Sequence, residues 1–476
     1  MEITSAPPAR RAAQPGLGAR RVALLCGVGA LGLAALSLLL PWAPTYDPWA
    51  WIVWGREVAH LDLQTTAGPS WKPLPVLLTT VFSLAGGAAP ALWLVVARAG
   101  GLLAIASAYA AGRRLAGPAA AVTAATALVL DVPFDRVVWL GDSEGLLVAA
   151  VLAAVERHSA GARRSAFAVG VAAALLRPEV WPFLALYGGW LGWREPGARP
   201  LVIGSSIAIA LLWFGPELWG SGQLWRAAQR ARDPAGGAAT FAPDPALEVI
   251  RRARVMLVGP VKAAALAALL FAVVRWRTRT AQTVLALGAG AAAWLAMVVV
   301  MTTHGFSGNE RYVMAPMAIV CTLAGVGVAH GARVGARLAR RPQLAARGVA
   351  VGGTVLLTAG IVPYVSATSE ALGRQLATLE YQAQLRTGMK RAVALVGGPA
   401  RVRACGAPVT EDYSVPMLAW DLGIPIASVG LDPARHGVVF QARPTPLAPR
   451  DPRVRPGRNA PRFALAVGPV RVFGRC

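Results

Sequence analysis

Apolar stretches of about 15–20 residues, long enough to cross a hydrocarbon core, recur near 22–40, 91–111, 117–131, 137–155, 165–177, 180–193, 200–215, 255–274, 281–301, 312–330 and 349–364. This pattern predicts a polytopic α-helical membrane protein with about eleven transmembrane helices. Residues 1–21 are polar and basic, and the run that follows is longer than a signal-peptide core, so it is expected to stay as the first span. Between the first two crossings, in an outer loop at 41–90, the segment Pro73 to Leu84 is apolar but short and proline-broken, which predicts an interfacial or re-entrant helix. After residue 365 the pattern changes. A helical stretch over 366–397 precedes short strand-like runs at 401–405, 424–429, 437–441 and 463–473, with a helix near 412–421. The expected organisation is a cytoplasmic arm over 1–21, a transmembrane domain over 22–364 and a small extracytoplasmic α/β domain over 365–476.

Charge fixes the orientation. Placing the amino end in the cytoplasm makes every second gap an inner one. Those gaps hold Arg113 and Arg114, then Arg157, Arg163 and Arg164, then Arg194 and Arg199, then Arg275 to Arg279, then Arg333 to Arg347, as the positive-inside rule requires. Of 23 carboxylates, only Glu2, Glu156 and Glu195 fall on the inner side. Carboxylate chemistry is therefore expected outside the plasma membrane. The outer loop 216–254 is basic as well, and reads either as a solvated charged face or as a contact for lipid phosphates.

Composition removes other classes. With 55% hydrophobic and 15% charged residues the chain is not a soluble globular protein, and its net charge of +24 is spread in short clusters that report topology, which argues against a nucleic-acid partner. The scarcity of lysine, with abundant Ala and Gly, looks like a GC-rich bacterial genome. No Walker loop or Gly-x-Gly-x-x-Gly element follows a strand, so no nucleotide site is expected. Cys26 and Cys321 fall inside spans, whereas Cys405 and Cys476 end strand-like runs on an oxidising side and are expected to pair.

Candidate chemistry gathers at the outer face. Tyr46-Asp47-Pro48-Trp49 follows the first span, and Trp71-Lys72-Pro73 follows a Trp-rich segment. Asp47 reads as an interface residue or as a general base. Lys72, one of three lysines, reads as a snorkelling side chain or as a phosphate contact. Asp142 and Glu144 interrupt an apolar run, a costly placement unless they face a polar cavity or a surface loop. Arg177-Pro178-Glu179 is a similar break, and His304 to Tyr312 brings Arg311 and Tyr312 to the start of a late span. Trp49, Trp71, Arg177, Glu179, His304 and Tyr312 are the candidates for the cavity and its substrate.

Taken in order, these elements resemble the GT-C class of integral-membrane glycosyltransferases, which includes protein O-mannosyltransferases and bacterial aminoarabinose transferases. The resemblance covers about residues 20–330. Asp47 matches the acidic residue of the first outer loop, and Lys72-Pro73-Leu74-Pro75 matches a Lys-Pro-Pro-Leu element with its proline shifted by one. Arg98 matches the Arg that opens the second span, Gly112-Arg113-Arg114-Leu115 its end, Asp142 or Glu144 the second acidic site, and Arg311-Tyr312 a late Arg-Tyr pair. The resemblance implies transfer of a sugar from a polyprenyl-phosphate donor to an acceptor hydroxyl in the cell envelope. Asp47, with Asp142 and Glu144, would be catalytic, and Lys72, Arg98 and Arg311 would hold the donor phosphate amid membrane lipid. The acceptor, whether glycan, lipid or protein, stays open, as does a divalent cation, because Pro48 stands where many members have a second acidic residue. A transporter or flippase of lipid-linked sugars and an inactive scaffold are the alternatives.

Overall fold

The computed structural model describes residues 17–234, 236–338, 342–432, 437–443 and 465–475, with the backbone alone for 17–20, 336–338, 342–368 and Arg475. Helices dominate: α1 (Leu17–Leu36), α2 (Tyr46–Ala59), α3 (Pro73–Ser83), α4 (Ala89–Ala116), α5 (Pro118–Val129), α6 (Val132–Trp139), α7 (Glu144–Ser159), α8 (Arg163–Ala174) and α9 (Trp181–Arg194) come first. Then follow α10 (Arg199–Ser221), α11 (Arg226–Ala231), α12 (Pro245–Met256), α13 (Gly259–Val274), α14 (Arg279–Thr303), α15 (Met314–Leu338), α16 (Pro342–Leu395), α17 (Gly398–Ala404) and α18 (Val415–Leu422).

Among the described residues five helices are long and apolar enough to span a membrane, or up to seven if each of two bent pairs is one span. The chain is thus a multi-pass membrane protein, though among the described residues fewer helices reach full length than the eleven the apolar runs predict. The difference is one of length and shape. Helices α5 and α8 have 12 residues each, about 18 Å of rise against a core of about 30 Å. The run expected at 137–155 is the pair α6–α7, bent by 119°, and that at 255–274 belongs to α12–α13, bent by 100°. The run at 349–364 lies within α16, where only the backbone is described.

Helix α4 sits centrally, packed against α1, α5, α7 and α15. Its approach to α7 depends on missing side chains: a Cβ on Gly145 would stand 2.7 Å from the Gly101 amide nitrogen. The sharp corner before α7 is made by Gly141 at φ +81°, a conformation that favours glycine.

Helix α16 has 54 residues, about 80 Å of rise. It leads to a four-stranded sheet in the order β1-β2-β4-β3, built from β1 (Val409–Thr410), β2 (Gly437–Ala442), β3 (Leu465–Val467) and β4 (Val470–Arg475). Strands β1 and β2 are parallel and the other neighbours antiparallel. The strand-like run at 401–405 is instead helix α17. Gly397, at φ +109°, turns the chain there, and Pro399 occupies the first helical turn, where its missing N–H costs nothing. The run at 424–429 is a short 3-10 turn with a single bridge between Val409 and Gly430.

This carboxyl-terminal unit shares one apolar core with α2 and α4: Trp51, Trp54 and Trp93 belong to the same buried cluster as Met389, Leu418 and Phe440. Arg56 of α2 adds hydrogen bonds to the carbonyls of Trp420 (3.3 Å) and Ile424 (2.8 Å).

Candidate active site

Local sequence presents the cations of the site in the same way twice. Lys72 and Arg177 each precede a proline, whose ring excludes the helical conformation of the residue before it. Both are accordingly extended (φ −139°, ψ 114° and φ −149°, ψ 131°), and Pro73 and Pro178 open the turns that follow. Arg311 stands on the 3-10 turn Glu310–Val313, its amide held by the Asn309 side chain at 2.9 Å. Asp47 lies in the first turn of α2, and Asp142, Ser143 and Glu144 form the corner between α6 and α7. Glu144 opens α7, where the helix dipole favours negative charge.

These segments converge. Arg311 Nη1 donates to Asp47 Oδ2 at 2.9 Å, while its Nη2 and Nε lie 3.4 Å and 3.2 Å from Asp142 Oδ1 and Glu144 Oε1. Glu144, fully buried, also accepts from Arg177 Nη2 at 2.6 Å and stands 3.6 Å from Lys72 Nζ. Lys72 donates to Ser143 Oγ at 2.9 Å and lies over the Trp51 ring. Arg177 reaches Glu179 at 3.3 Å and covers the Tyr312 ring. Three cations and four carboxylates therefore alternate, with Glu144 as the shared anion. Hydrogen-bonding capacity is left over: Arg311 Nε and Nη2, Arg177 Nε, Glu144 Oε2 and Glu179 Oε2 are buried without a hydrogen-bond partner. Burial pushes the Lys72 ammonium down to about 8, with the Glu144 carboxylate opposing that shift and the Arg177 guanidinium adding to it.

The cluster opens on a cavity of about 940 Å³, at the upper end of the range for small-molecule sites. Asp47, Lys72, Arg177, Glu179, Arg311 and Tyr312 line it, with Trp71, Trp181, Trp213, Phe214 and Met297 on apolar walls. Asp412, Tyr413 and Ile426 of the carboxyl-terminal unit complete the wall.

Other residues singled out from sequence lie elsewhere. Asp142 and Glu144 stand behind Arg311 and do not line the cavity. Trp49 is buried in the shared core. Arg98 is off the cavity, its guanidinium occupied by the carbonyls of Trp139 and Ser37 and by the Trp139 ring. Its buried charge serves as a tie among α4, α6 and the turn that follows α1. His304 is exposed, with Nδ1 at 2.8 Å from the Val300 carbonyl of its own helix. Cys405 is disulfide-bonded and Cys26 and Cys321 are free; Cys476 lies outside the described residues. Among the described residues no three His, Cys, Asp or Glu side chains are grouped to hold a metal ion. The place among Asp47, Asp142 and Glu144 is filled by the Arg311 guanidinium, so these residues do not fit a divalent cation.

Sequence reasoning missed Asp233, Asp412 and Tyr413 on the wall and gave no separate role to Tyr46 or Arg230, which also line it. Tyr46 and Tyr413 meet edge to face with ring centres 6.2 Å apart, although they lie 367 positions apart along the chain. No local pattern announces such a contact.

Nearly the whole chain superposes on a solved structure. ArnT from Cupriavidus metallidurans in the apo state matches with a TM-score of 0.55 at 15% identity, over 96% of this chain and 98% of ArnT. The two share a fold, the GT-C fold that the sequence resemblance implies. ArnT bound to undecaprenyl phosphate matches with a TM-score of 0.54 at 16% identity over the same shares. The Archaeoglobus fulgidus oligosaccharyltransferase tethered with an acceptor peptide gives a TM-score of 0.43 at 12% identity, over 84% of this chain and 63% of that one. No family model and no curated protein sequence matches the chain. A shared fold does not fix chemistry; the chemistry open to this chain lies in the cluster of charges at its cavity.

Proposed function

We propose that this chain is a membrane glycosyltransferase that moves a sugar from a polyprenyl-phosphate donor to an acceptor hydroxyl at the outer face of the plasma membrane. The observation that carries this reading is the convergence of Lys72, Arg177 and Arg311 beside Asp47 on one wall of a cavity that also presents Trp71, Trp181, Trp213, Phe214 and Met297. A phosphate in the cavity meets the cationic side chains of Lys72, Arg177 and Arg311 that line it, and the aromatic and methionine walls suit a polyprenyl chain. That ArnT, with the same fold, is solved bound to undecaprenyl phosphate supports the donor class.

The acceptor oxygen attacks the anomeric carbon as the carbon–oxygen bond to phosphate breaks. The electron pair leaves with the polyprenyl phosphate, and the configuration inverts. Charge grows on the departing phosphate, where three fixed cations stabilise it more than they stabilise the bound donor. Asp47 meets Arg311 through Oδ2, which leaves its second oxygen to take the hydroxyl proton. Asp142 and Glu144 act through Arg311, as positioning residues. Asp412 and Tyr413 bring the carboxyl-terminal unit to the cavity wall, and we assign the acceptor to that unit's side.

Purified protein offered a labelled polyprenyl-phosphate sugar should transfer the label to an acceptor; movement across vesicles without transfer would replace this reading with a transporter. Asp47→Asn keeps the side chain's shape but not its basicity, so turnover is expected to fall about 10²–10⁴-fold with donor binding retained. Near-normal transfer by Asp47→Asn, with transfer abolished in Asp142→Asn or Glu144→Gln, would move the base to the second acidic site.

A further inference from the structure

The loop that carries Lys72 is held from behind the cavity wall. Arg226, the first residue of α11, is 6% exposed and absent from the cavity lining. It donates through Nη1 to the Pro69 carbonyl at 2.6 Å and through Nη2 to the Gly68 carbonyl at 2.9 Å. Gly68 is at φ +97° in this turn, a conformation that side chains disfavour. Behind Arg226 stands Glu217 of α10, fully buried, with Oε1 3.5 Å from Arg226 Nη1. Its Oε2 accepts from Thr65 Oγ1 at 3.0 Å, at the start of the same loop. Ser70 Oγ and Trp71 Nε1 complete the attachment, on the carbonyls of Ala227 (2.9 Å) and Leu212 (3.0 Å). From Thr65 to Trp71, then, the loop is fastened to α10 and α11.

A buried Arg–Glu pair is weak evidence for stability, because desolvation offsets most of its attraction. What the pair supplies here is geometry: the planar guanidinium fork spans two successive carbonyls, which a lysine ammonium on a flexible stem cannot reproduce. We propose that Arg226, braced by Glu217, is a positioning residue that sets where the Lys72 ammonium stands in the cavity. Its consequence for donor affinity rests on the reading of Lys72 as a phosphate contact.

The test uses the chain's three lysines, Lys72, Lys262 and Lys390. Full-length protein in detergent is reductively methylated across a pH series, and each lysine is followed by mass spectrometry, with Lys262 and Lys390 as internal references for fold. Lys72 is reached from the cavity it lines, where Glu144, Asp47, Arg177 and Arg311 face it and Ser143 binds it. In the unaltered chain it should react with a midpoint near pH 8. Arg226→Gln and Arg226→Lys are both expected to raise that midpoint by about one unit, as Lys72 slips toward water. Undecaprenyl phosphate, the probe for binding, should bind about tenfold more weakly in both. Thr65→Val, a milder cut at the other end of the brace, should shift the midpoint less and in the same direction, and it guards against loss of fold in the arginine variants. An unmoved Lys72 midpoint in all three variants overturns the proposal. A moved midpoint with unchanged undecaprenyl phosphate affinity upholds the positioning role and refutes the phosphate reading of Lys72.

Discussion

Lys72 shows how much the immediate neighbours of a residue reveal about its role, and how much they leave out. A lone lysine between a Trp and a proline, in a stretch without other cations, already reads as a ligand contact. Its position follows from Pro73, which forces the extended conformation. Burial then lowers its ordinary value near 10.5 to about 8. The sign is definite: a depressed lysine loses its charge as pH rises through about 8, so undecaprenyl phosphate affinity should fall above that pH. The phosphate's own second ionisation lies near pH 6, so it is already a dianion there and cannot cause the fall. Lys72→Arg stays charged and should remove the alkaline limb; a limb that persists in the arginine variant would assign it to another group. In linkage terms the unfolded chain binds more protons between about 8 and 10.5, so stability from this group rises with pH across that window and is lost as pH falls through about 8. Asp47, Glu144, Arg177 and Arg311 were legible for the same reason as Lys72, since charge beside apolar runs is costly unless used. Arg98 obeys that rule too, yet its use is a tie to two carbonyls, which the sequence cannot distinguish from a ligand contact. Arg226 escaped because a basic outer loop looks like any solvated face until its partners Gly68 and Pro69, more than 150 positions away, are known.

At the level of elements, apolar length located most of the helices but not their bends. Helices α6 and α7 form one apolar run, and only the glycine-made corner turns Asp142 to Glu144 toward Arg311. Helix α3 is as short as its prolines imply. Its seat on α2 is set by Gly55, where an added Cβ would stand 2.5 Å from the Thr79 carbonyl carbon and 2.7 Å from the Thr80 nitrogen. Backbone cannot yield as a side-chain tip does. Gly55→Ala should therefore cost about 1–3 kcal/mol of stability by overpacking, and it should weaken undecaprenyl phosphate binding because α3 begins at Pro73, directly after Lys72. Gly189→Ala on α9, where nothing lies within 4 Å of the added atom, is the control. A thermal midpoint equally low in both variants would locate the cost in helix-wide effects and not in the contact of α2 with α3.

Across the whole molecule, the arrangement of charge and the shared core point to one orientation. Residues assigned to inner gaps meet at one end: Arg114 and Arg157 pair with Glu156, Arg163 and Arg164 pair with Glu195, and Arg333 donates to the Ala116 carbonyl. The carboxyl-terminal unit, in contrast, shares its core with α2 and α3 and receives hydrogen bonds from Arg56. Asp47, which lies on α2, and residue 380, which lies on α16 where it leads into that unit, must then face the same compartment. The expected topology is an amino end inside and a carboxyl unit outside. Reporter fusions after residues 114, 164, 279 and 341 should behave as cytoplasmic, and one after residue 380 as external. The fusion at 380 is the most informative, because the packing of the carboxyl-terminal unit on α2 links its side of the membrane to that of Asp47. A cytoplasmic signal there would place Asp47, Lys72 and Arg311 on the inner face, where nucleotide-activated sugars are at hand and a lipid-linked donor loses its rationale. An external signal at 380 with cytoplasmic signals at the four earlier positions would put the cavity where the only activated sugars are those carried across on lipid.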